Sequence, residues 1–331
     1  MYSAELRSFG PAPEVVVCAE VPEPDAPGPG EVLLAVQASP INPADILLVE
    51  GKYATRPALP APLGIEGAGR ILAVGEGVEH LAVGDRVMSL ARTNWAEQRL
   101  LQAGEVMPLP PGLDIRQAAM LKVNPATAML MLRNFVELKA GDWVIQNAAN
   151  SGVGLCCIEL ARRQRLHTVN VVRRESLVAP LRERGADVVL VDGEDLPERM
   201  REATGGQLPG LAIDAVGGTA TGRLARCLAD GGTVVNYGVM SGEDCVLGFD
   251  RAVFHDIALR GFWLARTLPA MPPGEVQALY RELAGIMAEG GLQVPVAAVY
   301  PLSGIKEALA HARREARGGK VLLSPDGSLS G

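Results

Sequence analysis

Ser151, Gly152, Val153 and Gly154 lie between an apolar run and a helical pattern, and a second apolar run delivers Arg173 and Arg174. Glycines let a backbone turn tightly and approach a ligand with no Cβ in the way. The amides that open the following helix can then point at an anion, as at a pyrophosphate site. Arg162, Arg163 and Arg165 close that helix, where cations suit the negative end of its dipole. Arg173 comes nineteen residues after Gly154. In a dinucleotide-binding βαβ unit an acid about 20 residues past the glycine turn bonds the ribose hydroxyls of NAD, whereas an arginine accommodates a 2′-phosphate. The spacing therefore predicts NADPH. The alternative for Arg173 and Arg174 is a solvated surface pair.

The elements that position these residues read as a strand at Trp143–Ile145, a helix from about Val153 to Arg165, and a strand at Thr168–Val172. Strand and helix patterns then alternate. Strands are expected at Val188–Val191, Leu211–Asp214, Thr233–Gly238 and Ala258–Trp263, with helix at Leu224–Leu228. That order implies a doubly wound parallel sheet with helices on both faces, a Rossmann domain over residues 119–268. Residues 1–118 differ. Short β-prone pieces at Val15–Val17, Val32–Val36 and Arg70–Val74 are separated by Pro and Gly turns, which predicts a β-rich, partly open barrel. Pro108–Gly112 reads as the linker leaving it. Ile115–Phe135 reads as helix interrupted at Asn124–Pro125. After a helix from about Gly274 to Glu289, strand-like pieces at Ala297–Tyr300 and Lys320–Leu323 suggest that residues 269–331 return to complete the first domain.

A chain of 331 residues exceeds one ordinary core, so two domains are the default. Hydrophobic content of 48% with 21% charged residues describes a globular protein. No apolar run approaches the ~20 residues that span a bilayer. Net charge −7 disfavours nucleic-acid binding, which wants a basic surface. The five cysteines show no metal spacing, and the adjacent Cys156 and Cys157 read as core fillers. The four histidines are scattered. The first residues show neither a signal peptide nor a transit sequence, which gives a cytoplasmic, bacterial-type protein as the expectation.

The arrangement of a β-rich start, a Rossmann middle and a returning tail resembles the medium-chain dehydrogenase/reductases, whose fold is α/β with a GroES-like barrel. Ile41–Asp45, Gly51–Tyr53, Val123–Ala128, Gln146–Gly154, Asn170–Arg173 and Arg260–Leu264 look like the mitochondrial-type 2-enoyl thioester reductases. Where zinc-dependent relatives hold a cysteine and a histidine, this chain has Asn42 and Ile65, so no metal is expected. The resemblance implies NADPH-dependent reduction of the C2=C3 double bond of a trans-2-enoyl thioester of coenzyme A or an acyl carrier protein. Tyr53 would protonate the α carbon, since a phenol, with a reference pKa of about 10, keeps its proton at neutral pH. Otherwise Tyr53 is an ordinary surface or core tyrosine.

The resemblance also assigns cofactor contacts. These are Asn42, Asn124, Thr127, Ser151, Gly152, Val153, Gly154, Arg173, Arg174, Tyr237, Gly238, Val239, Met240, Phe262, Trp263, Leu264 and Lys320. Asn124 has capping as its plainer role, the Phe262–Trp263 pair an ordinary core, and Lys320 a solvated lysine. A homodimer through edge strands of the Rossmann sheets is implied as well. Four departures stand out. Ala54 replaces a glycine, Lys122 a small residue and Ile65 a polar one, and the loop between Val87 and Trp95 is shortened. They bear on the acyl group more than on hydride chemistry. The competing readings are a zinc-independent NADPH quinone oxidoreductase, which needs no tyrosine donor, and a non-catalytic NADPH-binding redox sensor.

Overall fold

The computed structural model describes residues 1–329. Its strands, in chain order, begin with β1 (Tyr2–Leu6), β2 (Val16–Glu20), β3 (Glu31–Pro40), β4 (Ala61–Pro62), β5 (Gly67–Val74), β6 (Arg86–Ser89), β7 (Gln98–Gln102) and β8 (Val106–Pro108). They continue with β9 (Trp143–Gln146), β10 (His167–Val172), β11 (Val188–Val191), β12 (Leu211–Asp214), β13 (Thr233–Asn236), β14 (Ala258–Gly261), β15 (Val296–Pro301) and β16 (Lys320–Ser324). Two compact units result. One is Met1–Val123 with the chain from Gln277 onward; the other is Asn124–Val276.

In the first unit, β3 is the organising strand. Val32, Leu34, Val36 and Ala38 are buried at every second position, as a half-buried strand of period two requires. It pairs with β5 and β7 along its length. At its far end β16 joins it, Leu322 opposite Pro40 and Leu323 opposite Ser39, so the tail does return to the sheet. Past Pro108–Gly112 the chain stays in this unit. Gln117 and Val294 exchange two hydrogen bonds, of 3.0 and 3.1 Å. Around Trp95, which is wholly buried, gather Leu6, Ile41, Leu63, Ile305, Leu309 and Leu323. Cores of this kind lose about 3–5 kcal/mol when such an aromatic is cut back to alanine.

Two local readings need correction. Val15–Val17 is not all strand, because Pro11 starts a single helical turn at Ala12–Val15 and β2 begins only at Val16. A helix at Pro43–Val49 escaped the sequence reading, since seven residues are too few to show a period. Its start is set by Pro43 at the first position and by Asp45, whose carboxylate accepts from the Asn42 amide at 2.9 Å.

The second unit is a six-stranded, all-parallel sheet in the order β11-β10-β9-β12-β13-β14. Counted within the unit this is 3-2-1-4-5-6, the order that places a crevice where direction reverses between β9 and β12. Both faces are covered. Val169 and Val171 point into one core with Ile145, Ala212, Leu224 and Val234, while Val172 joins Ile158, Leu181 and Val189 on the other. Pro125 does not interrupt a helix but opens one, Asn124–Asn134, buried through Leu132. The helix after β9 runs Gly152–Arg163 and ends two residues early because Arg165 takes a left-handed φ of 58° to enter β10. No helix among the described residues is long and apolar enough to cross a membrane.

Candidate active site

In a parallel sheet all carboxyl ends lie along one edge, and ligands bind there. Leaving β9, the chain reaches Ser151, which caps the next helix by accepting from the Gly154 amide at 3.1 Å. A Cβ on Gly154 would lie 2.4 Å from the Ala149 carbonyl oxygen, and one on Gly152 would lie 2.9 Å from Asn124 Nδ2. The two glycines therefore hold a cradle that any side chain would fill. Asn124 Nδ2 is buried against it and has no hydrogen-bond partner in the protein. A buried donor left open costs about 1–3 kcal/mol unless something completes it. A cradle of helix-start amides beside an unsatisfied amide donor fits the oxygen-rich phosphates and ribose of a dinucleotide.

The other expected contacts in this unit cluster on the same edge. Arg173 and Arg174 are exposed just past β10. Thr127 is buried on the helix that starts at Asn124. Past β13, burial pushes the Tyr237 phenol's pKa upward, and the Ser151 side chain beside it opposes that shift by hydrogen bonding to the phenol oxygen. Gly238 lies so close to Ala215 that a Cβ would come within 2.7 Å of its carbonyl oxygen, while Val239 and Met240 are exposed. Phe262 follows β14, buried edge-to-face against Phe135. Trp263 and Leu264 start a short helix, Leu264–Ala270, where strand had been expected as far as Trp263.

A polar ladder under this edge was missed in the sequence. Gln146 donates to Asn170 Oδ1 at 2.7 Å and to the Gly154 carbonyl at 3.0 Å. Asp214, wholly buried, accepts from Asn147 at 2.6 Å, Thr221 at 2.6 Å, Asn236 at 3.1 Å and the amides of Val216 and Gly217. Five donors satisfy the carboxylate and tie the ends of β9, β12 and β13 together. The available signal was a polar residue at the end of β9, β12 and β13 and one inside β10. Cys156 and Cys157 are core, and burial pushes the Cys157 thiol up to about 12.

In the first unit, Gly51 (φ 70°) turns the chain after the helix Pro43–Val49, and Tyr53 is held by its amide on the Leu47 carbonyl at 3.1 Å. The Arg92 guanidinium lies over the Tyr53 ring, 5.5 Å from its centre. Asn42 and Lys320 are buried together. The Asn42 amide donates to Glu66 at 2.8 Å and accepts from the Lys320 ammonium. Lys320 is thus no solvated lysine, and a reach toward a phosphate would forfeit this buried bond. Glu66 also accepts from the Val123 amide at 2.8 Å. Burial raises the pKa of Glu66, against the pull of Lys320 and its hydrogen bonds, and pushes Asp45 up to about 7. Burial also brings Lys122 down to about 8, against the field of Glu66. Among the described residues no three of His, Cys, Asp or Glu gather to hold a metal ion.

Two family models match the chain: "Alcohol dehydrogenase GroES-like domain" over residues 28–112 and "Zinc-binding dehydrogenase" over 152–284. The mitochondrial enoyl-[acyl-carrier-protein] reductase of Mus musculus is 38% identical across 84% of this chain and 77% of its own length. The chain belongs to the medium-chain dehydrogenase/reductase family, among its enoyl thioester reductase-like members. A solved Etr1p/NADP/crotonyl-CoA complex superposes with TM-score 0.88 at 25% identity, over 98% of this chain and 99% of that one. The Etr1p/Etr2p heterodimer from Candida tropicalis gives 0.86 at 26%, over 98% and 99%. Escherichia coli quinone oxidoreductase with NADPH gives 0.87 at 28%, over 98% and 100%. The curated relatives are mitochondrial enzymes, which overturns the cytoplasmic, bacterial-type expectation. That expectation rested only on what the first residues lack, and this family member's N-terminus carries no weight on the point.

Proposed function

We propose that this family member reduces the C2=C3 double bond of trans-2-enoyl thioesters with NADPH. Ser151–Gly154 and Asn124 would hold the pyrophosphate and neighbouring ribose, and Arg173 and Arg174 the 2′-phosphate. NADPH held there would supply the hydride that the β carbon takes up. The double-bond electrons move onto the thioester oxygen as an enolate. Tyr53 then gives its hydroxyl proton to the α carbon and recovers one from solvent, so the alkene gains two hydrogens. The observation that carries the reading is Tyr53 itself, a phenol fixed on a glycine turn under a guanidinium, which quinone reduction does not require. Relatives named for enoyl reduction support it, as does the crotonyl-CoA held by Etr1p.

The resemblance to a quinone oxidoreductase keeps one competing reading alive, and a substrate panel separates the two. With NADPH, crotonyl-CoA is expected to be turned over well above quinones, and Tyr53→Phe is expected to lower that turnover by about 10²-fold. Quinone turnover above crotonyl-CoA, untouched by Tyr53→Phe, would give the site to quinones instead. A homodimer belongs to the same proposal. β14 is the edge of its sheet with Leu259 exposed, and the neighbouring helix Phe249–Phe254 presents Phe249, Val253 and Phe254 at 67–73% exposure.

A further inference from the structure

Three of the four departures noted in the sequence meet in one place. Lys122 Nζ donates to the carbonyls of Ile65 at 2.7 Å and Ala91 at 2.9 Å, and so staples the shortened loop after β6 to the turn before β5. Asn94 completes the staple, its side chain donating to Ala91 and Gly64 at 3.0 and 3.1 Å. Between these anchors Thr93 is held at φ 78°, a conformation that costs a β-branched residue free energy and persists only where its surroundings impose it. The residue this loop delivers is Arg92. Its guanidinium sits on the Tyr53 ring, and its Nη2 is buried with no hydrogen-bond partner. A guanidinium nitrogen can only donate, and a buried donor with nothing to give to is costly.

We propose that Arg92 is a catalytic residue whose open Nη2 takes an anionic oxygen of the substrate, the thioester oxygen as it becomes an enolate. This rests on the enoyl reductase reading and adds to it the group that holds the developing charge. Hydride addition to the β carbon places the negative charge on the carbonyl oxygen, one carbon from where Tyr53 delivers its proton. A cation over the phenol, 5.5 Å from the ring centre, stands next to the group that delivers that proton. A preorganised donor aimed at charge that exists only in the transition state typically contributes 10²–10³ in kcat. Arginine suits this role better than lysine, because its planar fork can lie on the ring and still donate.

The test compares Arg92→Ala and Arg92→Lys with the unsubstituted protein, each confirmed folded by its melting temperature, using crotonyl-CoA and crotonyl-N-acetylcysteamine, which carries no phosphate. Arg92→Ala is expected to lower kcat by about 10²-fold on both esters, with partial recovery in Arg92→Lys. A loss confined to the KM for crotonyl-CoA would mean that the anionic oxygen is a phosphate of the carrier, and would overturn the assignment to the enolate. The loss is expected to persist in a Tyr53→Phe background. If it vanishes there, Arg92 acts only by positioning the phenol and the inference falls. Unchanged kcat and KM on both esters would refute the inference alone. No crotonyl turnover by the unsubstituted protein would refute it together with the proposed function.

Discussion

Arg173 and Arg174 are exposed where β10 ends, and an exposed cation gains little from a single surface charge. A 2′-phosphate offers several charge-assisted acceptors at once. Replacing both arginines by alanine is accordingly expected to raise the KM for NADPH by about tenfold or more, with the KM for NADH little changed. Equal use of NADH and NADPH by the unsubstituted protein would sink the argument. The placement of these two side chains was legible in the sequence, because spacing along one strand and one helix fixes where each residue emerges. Lys320 was not legible. Its buried bond to Asn42 joins residues 278 apart, and no local pattern announces such a pair.

At the scale of elements, the start of the helix Pro43–Val49 depends on a buried carboxylate. Asp45 accepts from the amides of Asn42 and Ile65 at 2.9 and 3.1 Å, yet burial dominates and pushes it up to about 7. Between its ordinary value of 3.8 and about 7 the native protein binds a proton that the unfolded chain has released. The contribution of Asp45 to stability is therefore full at low pH and is lost as pH rises through that window. Asp45→Asn removes this dependence. In urea titrations across the window, the stability gap between parent and variant is expected to narrow as pH rises. A gap that widens instead would show Asp45 to be ionised throughout. The helix itself was invisible beforehand, its seven residues too short for periodicity to distinguish from loop.

For the whole molecule, Phe249, Val253 and Phe254 are exposed together on the helix that leads into the edge strand β14. Large exposed apolar patches on a folded protein mark association surfaces, and an unpaired strand edge invites pairing with another. Phe254→Asp with Leu259→Arg is expected to convert a sedimenting dimer into a monomer whose melting temperature is lower. A monomeric parent protein would dispose of the homodimer.

The alternation of strand and helix, the glycine cradle, the arginines behind it and the returning tail could be read from the chain alone, since each rests on residues near one another or on a repeated period. Only the folded structure revealed the ladder centred on Asp214, the buried Asn42–Glu66–Lys320 group, the staple of Lys122 on Ile65 and Ala91, and Arg92 over the Tyr53 ring. These join residues far apart in sequence. Which distant polar groups share a low-dielectric interior is decided by packing, and one-dimensional spacing carries no record of it.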